Sequence, residues 1–336
     1  MSIQTKVDNI IKTLGSINIQ DFIELSNFDD EGFYNLKNVS KISKNGHFIT
    51  SPEITPLFGY SLCNQFLQAF KNISKVHLLE LGPGNGTLLH DIYKYLSNQN
   101  IEITQISILE KSKYFKRKIK DKNLFEINFL NDLSDLKVNS DEILFVYSNE
   151  FFDAISSKQY VFENKDFNEI KITKIDDSYT LINESSLLSK FLKDYYSEYD
   201  FQNGDILEHS NYLVSLLQDL KSILKNKFFF TATDYGYDKL PKKSTLRLIS
   251  RHQPVALFDK FDDVDYSFGV NFELIMKTFE KFDPVIISQE NLIKTFLPKN
   301  FHNNDDTESL KAIEIISGKS FSNMGRLFKN ISFYLK

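Results

Sequence analysis

The sequence predicts an α/β fold: a mostly parallel sheet with helices on both faces, preceded by a helical N-terminal region and interrupted by an α+β insertion. Three observations predict it. From Val76 onward, apolar runs of strand length alternate with amphipathic runs of helical length, the pattern of parallel sheets. The first of these strands runs directly into Gly82-Pro83-Gly84-Asn85-Gly86 and then a helix. Acidic residues, Glu110 and Asp132, follow the next two strands.

Taken in order, residues 1–45 read as a helical cap, because Val7, Ile10, Ile11 and Leu14 recur at helical spacing and Asp21 to Leu25 starts a second amphipathic run. A polar loop, Gly46 to Glu53, precedes an apolar helix from about Pro56 to Phe70. The core then follows as strand Val76–Leu81, helix Thr87–Leu96, strand Gln105–Leu109, helix Ser112–Lys120 and strand Ile143–Ser148. Three β-like runs, beginning at Gln159, Glu169 and Tyr179, and helices near Leu187–Tyr199 and Tyr212–Leu224 read as an inserted substrate-side subdomain over 156–225. Strand Phe228–Thr233 restores the core, and Pro284–Ser288 with Arg326–Leu335 predicts a closing antiparallel hairpin. The core therefore spans 46–155 and 226–336, with seven strands expected.

With 336 residues, 41% hydrophobic and 25% charged, the chain has the balance of a packed protein. A net charge of −5 provides no broad positive field for nucleic acid. The single cysteine, Cys63, excludes an intrachain disulfide and a cysteine-rich metal site. The six histidines show no helical His pair with a neighbouring acid, so no metal is expected. No apolar run reaches 18 residues, and the first 15 hold Asp8 but no Arg, unlike a secretory or mitochondrial presequence. These features point to a bacterial cytoplasm and no integral membrane segment; the oligomeric state is not legible.

A strand entering a glycine loop and a helix N-terminus offers bare backbone amides to a nucleotide or nucleoside. The nicotinamide fingerprint places its third glycine three positions after the second. Here Gly86 follows Gly84 by two, with Thr87 next, which favours S-adenosyl-L-methionine. Glu80, at the strand end, suits the ammonium of a methionine moiety and would repel a diphosphate. Glu110, 24 residues past Gly86, suits two ribose hydroxyls. Asp132 is placed for an adenine amino group, with Leu133 against the ring. Read singly, a glycine loop is only a tight turn and a strand-end acid only a solvated cap; strand, loop, helix and acid together make a cofactor site.

Residues after the fourth strand should face the transferable methyl. They are Asn149-Glu150-Phe151-Phe152-Asp153. Glu150 and Asp153, flanked by aromatics, suit a guanidinium held by paired hydrogen bonds. The other reading makes Asn149 and Glu150 a helix cap and the phenylalanines core.

The order of motifs resembles the MidA family of S-adenosylmethionine-dependent methyltransferases, whose mitochondrial relatives assist assembly of respiratory complex I and methylate protein arginine. The resemblance rests on Phe48-Ile49-Thr50-Ser51-Pro52-Glu53, the Glu80 to Leu88 segment, Asn149 to Ala154, Gly204 to Ser210, Asp234-Tyr235-Gly236, and Arg247 with Arg251-His252. It implies a seven-stranded Rossmann-like methyltransferase core, a loop Thr50 to Glu53 closing over the cofactor or substrate channel, and a protein substrate that is a respiratory complex I subunit. Gly269 and Asn271 stand where the family has histidine and aspartate, which motivates an alternative: a cofactor-binding assembly factor that binds its partner without methyl transfer. A nicotinamide-dependent dehydrogenase is disfavoured by the glycine spacing and the charge of Glu80.

Overall fold

The computed structural model describes residues 1–36, 49–71, 73–122, 125–298, 307–318 and 323–336. The chain divides into two compact units, Met1–Val39, Ala154–Val214 and Lys239–Gly269 in one, and Ser40–Asp153, Ser215–Asp238 and Val270–Lys336 in the other. The borders expected at 45, 155 and 225 differ from this division. The N-terminal cap and the insertion are one body, because Ile17–Asn18 pairs antiparallel with Asp166–Ile175. Residues 215–225, expected in the insertion, belong with the core.

In the first unit, Ser2 caps helix Ile3–Leu14 by accepting from the Thr5 amide, and Gly15 ends it at φ 85°. Its buried stripe is Ile3, Val7 and Ile11; Leu14, expected on that stripe, is exposed. Helix Ile19–Phe28 follows its Asn18 cap. The expected meander forms as Lys158–Glu163, Asp166–Ile175 and Ser178–Ser185, all antiparallel, with Ile206–His209 on its edge. A second sheet of Arg247–Ser250, Gln253–Pro254 and Asp265–Ser267 was not expected from the sequence. Its strands are two to four residues long, too short for a period to register.

In the second unit, one sheet has the order Val285–Ser288, Phe328–Leu335, Phe228–Tyr237, Ile143–Asn149, Lys75–Leu81, Glu102–Leu109, Asn128–Leu130, with Val270–Asn271 pairing the end of Phe228–Tyr237. Pairing is parallel from Asn128–Leu130 to Phe228–Tyr237 and antiparallel beyond it. The sheet is thus mixed and eight-stranded where seven strands were expected, and the closing hairpin is present. Val76, Leu78, Leu79 and Leu81 are all fully buried, the continuous apolar run of a strand covered on both faces.

The covering layers can be read from two neighbouring residues, whose side chains leave a strand on opposite faces. Phe229 packs on Phe66 of helix Leu57–Ala69, and Phe230 stacks on Phe279, just past helix Phe272–Thr278. Phe66 also stacks on Phe145 at 4.6 Å. Truncating this fully buried ring would cost about 3–5 kcal/mol. Register brings Leu81 level with Leu109 and Ser148, and Asn149 level with Thr233, so the chain leaves these four strands along one edge of the sheet. Among the described residues, no helix is long and apolar enough to cross a membrane.

Candidate cofactor and acceptor site

All the residues expected at the site fall within the second unit, on that edge or beside it. Strand Lys75–Leu81 ends at Gly82, whose amide donates to the Leu109 carbonyl at 2.9 Å. Gly82, Gly84 and Gly86 all have positive φ, at 64°, 51° and 73°. At Gly82 the constraint is also spatial: an added Cβ would lie 2.6 Å from Cδ2 of Phe151. Pro83 starts the turn that the Gly86 amide closes at 2.7 Å, and Thr87 opens helix Thr87–Ser97.

Residues Thr50 to Glu53 do not form the expected loop. Ser51–Ile54 is a helical turn with Pro52 in its first positions and Thr50 before it. Phe48 lies outside the described residues. Ser51 is fully buried and accepts from the Gln289 side chain at 3.0 Å, so it anchors the turn. The Glu53 carboxylate accepts from Asn85 Nδ2 at 2.9 Å and Thr87 Oγ1 at 2.7 Å. It holds the glycine loop from outside. Two lysines that sequence reasoning missed hold the same loop: Lys118 Nζ donates to Asn85 Oδ1 at 2.6 Å and Lys122 Nζ to the Asn85 carbonyl at 2.7 Å. Their spacing of four on helix Lys113–Lys122 is the only signal that pairs them.

Glu80 is 2% exposed, and its Oε2 has no hydrogen-bond partner among the described residues. Burial, then the charges of Glu110 and Asp91, push its pKa well up. Glu110 is also buried; burial raises it to about 7, against the pull of the Ser112, Gly84 and Lys111 amides. Two buried acids stand beside a loop of left-handed glycines, and burial disfavours the charged form of each. A cationic ligand group with hydroxyl donors satisfies both, so the residues present fit an adenosyl sulfonium amino acid. Tyr147, level with Glu80 on the neighbouring strand, is a further buried hydroxyl without a hydrogen-bond partner among the described residues.

Asp132 lies at the surface, where its carboxylate accepts from the Ser134 amide at 2.8 Å and caps the short turn Leu133–Asp135. That amide holds its pKa below the usual carboxylate value. Leu133 is 2% exposed and packed inward.

At the end of strand Ile143–Asn149 the chain turns sharply. Glu150 adopts φ 51°, and its amide donates to the Thr233 carbonyl at 2.9 Å. Asn149 Nδ2 donates to Glu150 Oε1 at 3.0 Å, which fixes the amide so that its buried Oδ1 is an acceptor with no hydrogen-bond partner among the described residues. Asp153 is 9% exposed. The residue that organises this turn is Asp234. Its Oδ2 accepts from the successive amides of Phe151, Phe152 and Asp153 at 3.1, 3.0 and 3.3 Å, and its Oδ1 from the Tyr235 amide at 2.9 Å. Burial and then Glu150 push the Asp234 pKa well up, while the amides oppose them.

Residues 61–285 match a family described as "Putative S-adenosyl-L-methionine-dependent methyltransferase". The chain belongs to this family. Its cofactor is S-adenosyl-L-methionine. Among named relatives, the Bos taurus "Protein arginine methyltransferase NDUFAF7, mitochondrial" is 38% identical over 92 residues, 26% of this chain and 20% of that protein. The Caenorhabditis elegans "Protein arginine methyltransferase NDUFAF7 homolog, mitochondrial" is 23% identical over 284 residues, 75% of this chain and 64% of that protein. The match thus spans a fifth of the bovine protein's length and less than two thirds of the nematode's. A crystal structure of a COG1565 superfamily member from Burkholderia thailandensis, bound to S-adenosyl-homocysteine, superposes with TM-score 0.79 at 17% identity, covering 99% of this chain and 91% of that one. That likeness establishes the fold, an α/β fold with a mixed sheet.

Proposed function

We propose that this protein transfers the methyl group of S-adenosyl-L-methionine to an arginine of a protein, in the bacterial cytoplasm and in connection with assembly of respiratory complex I. The arginine and complex I assignments rest on the named relatives and the resemblance. The observation that supports transfer most is the contact of Phe151 with Gly82, which joins the glycine loop to the turn carrying Asn149, Glu150 and Asp153. In this reading the sheet is a seven-stranded Rossmann-like core extended by Val270–Asn271.

The cofactor supplies an electrophilic methyl on a sulfonium. Gly82, Pro83, Gly84 and Gly86 shape its cradle, Thr87 and Glu53 brace that cradle, Glu80 pairs the ammonium and Glu110 takes the ribose hydroxyls. Thr50, Ser51 and Pro52 set the turn that presents Glu53, and Asp132 with Leu133 border the adenine. Glu150 and Asn149 Oδ1 orient the acceptor nitrogen. A guanidinium holds its proton to a pH of about 12.5, so Glu150 or Asp153 receives it as the new bond forms. Alignment and exclusion of water by Phe151 and Phe152 supply most of the acceleration.

Asn271 bears on the alternative of binding without transfer. Its side chain accepts from the Leu274 amide at 2.9 Å and caps helix Phe272–Thr278, as an aspartate would. Capping of this helix therefore does not depend on an aspartate at 271. The test is transfer of labelled methyl from S-adenosyl-L-methionine into protein of a cell extract, with methylarginine read by mass spectrometry. Label in methylarginine that disappears with Glu150→Gln is expected; label elsewhere, or none, removes the arginine assignment.

A further inference from the structure

The acceptor turn is held in shape by a residue that it does not contain. Asp234 lies on strand Phe228–Tyr237, 83 to 81 residues from the three amides it accepts. Three consecutive N–H groups converging on one carboxylate oxygen form a closed anion-binding concavity, and this one is filled by the protein's own side chain. The side chain is 1% exposed, so water offers those amides no substitute. The turn it closes carries Glu150 at φ 51°, a strained setting for a residue with a Cβ, and strain of this kind persists only where surrounding contacts over-determine it. The same turn sets the Phe151 ring against Gly82.

We propose that Asp234 is the positioning residue of the acceptor half of the site: by binding the amides of Phe151, Phe152 and Asp153 it fixes where Asn149, Glu150 and Asp153 present themselves to the methyl acceptor. It touches neither cofactor nor substrate. Its action is on transfer and much less on cofactor binding, since Glu80, Gly84 and Glu110 lie on other strands and loops. This inference rests on the methyl-transfer reading above.

The experiment compares native protein, Asp234→Asn and Asp234→Glu by three readouts: calorimetric binding of S-adenosyl-homocysteine, labelled methyl transfer into extract protein, and hydrogen exchange of the amides at 151–153. Asp234→Asn replaces one acceptor oxygen by a donor that faces N–H groups. The expected result is exchange at 151–153 faster by about tenfold or more and transfer reduced about a hundredfold, with S-adenosyl-homocysteine affinity within about threefold of native. Asp234→Glu keeps the carboxyl group and is expected to restore part of the protection and part of the transfer. Parallel loss of binding and transfer in both variants would mean a merely structural residue and overturn the proposal, as would native transfer in Asp234→Asn. If a variant does not fold, the native protein still decides: amides at 151–153 that exchange as fast as exposed loop amides overturn it. Absence of transfer by the native protein counts against the methyl-transfer reading itself, and the exchange and binding readouts keep the two failures apart.

Discussion

Two chain reversals at the same sheet edge, after Leu81 and after Asn149, solve one problem by different means. Both strands are parallel neighbours and end nearly level. The reversal after Leu81 is shaped by what it lacks: glycines at 82, 84 and 86 take left-handed conformations that side chains resist. The reversal after Asn149 contains no glycine, puts Glu150 in the same conformation, and is shaped by a carboxylate from a distant strand. The lesson is that a reversal written in local backbone freedom is legible as a glycine motif, whereas the long-range hydrogen bonds that hold the other reversal are not.

Gly82→Val should break the comparison most severely. A Cβ 2.6 Å from the Phe151 ring, at φ 64°, disturbs both reversals at once. Loss of measurable S-adenosyl-homocysteine binding is expected, with stability lowered by about 2–4 kcal/mol in denaturant titration. Retained binding would show that the two reversals are independent.

Glu53→Ala removes the acceptor shared by Asn85 and Thr87. Since Lys118 and Lys122 still hold Asn85, the loop should loosen without collapsing, and affinity should fall about tenfold in the same calorimetric assay. An effect as large as that of Gly82→Val would mean that Glu53 meets the ligand itself.

Glu110 sharpens the comparison through pH. Its folded pKa of about 7 exceeds the ordinary 4.5, so between those values the folded protein binds more protons than the unfolded chain. Its contribution to stability is complete below pH 4.5 and is lost as pH rises through 7, by about 3 kcal/mol at most. Thermal melts of native protein and Glu110→Gln should therefore diverge across that window. Affinity for S-adenosyl-homocysteine should rise with pH through the same range, because ribose hydroxyls need an ionised acceptor. A Glu110→Gln variant with the native pH profile would assign the titration to another group.

Asp132 carries the smallest expected effect. As a surface cap on Leu133–Asp135 its replacement by alanine should cost about 0.5–1 kcal/mol of stability. A loss of ligand affinity beyond about threefold would instead favour its contact with the adenine.

The sequence made the main strands legible to within a few residues because each is a buried apolar run bounded by turn residues. It singled out Glu80, Gly82 and Glu110 by their places after neighbouring strands, and the structure brings those strand ends level. Asp234 could be noticed only as part of Asp234-Tyr235-Gly236, since nothing local says that its oxygen meets amides 81 residues away. Thr50 to Glu53 read as a loop because a proline usually ends regular structure, yet Pro52 sits where a helix tolerates it, in the first turn. The joining of the N-terminal helices to the insertion was illegible for a similar reason: two residues, Ile17 and Asn18, make the strand pairing that unites them.

The central claim is that the edge carrying Glu80, Gly82 and Glu110 holds S-adenosyl-L-methionine, and calorimetry of S-adenosyl-L-methionine and S-adenosyl-homocysteine against native protein and Glu80→Gln tests it most directly. Saturable binding of both, weakened about tenfold or more by Glu80→Gln, is the predicted result. No binding of either ligand, or binding indifferent to Glu80, would contradict it.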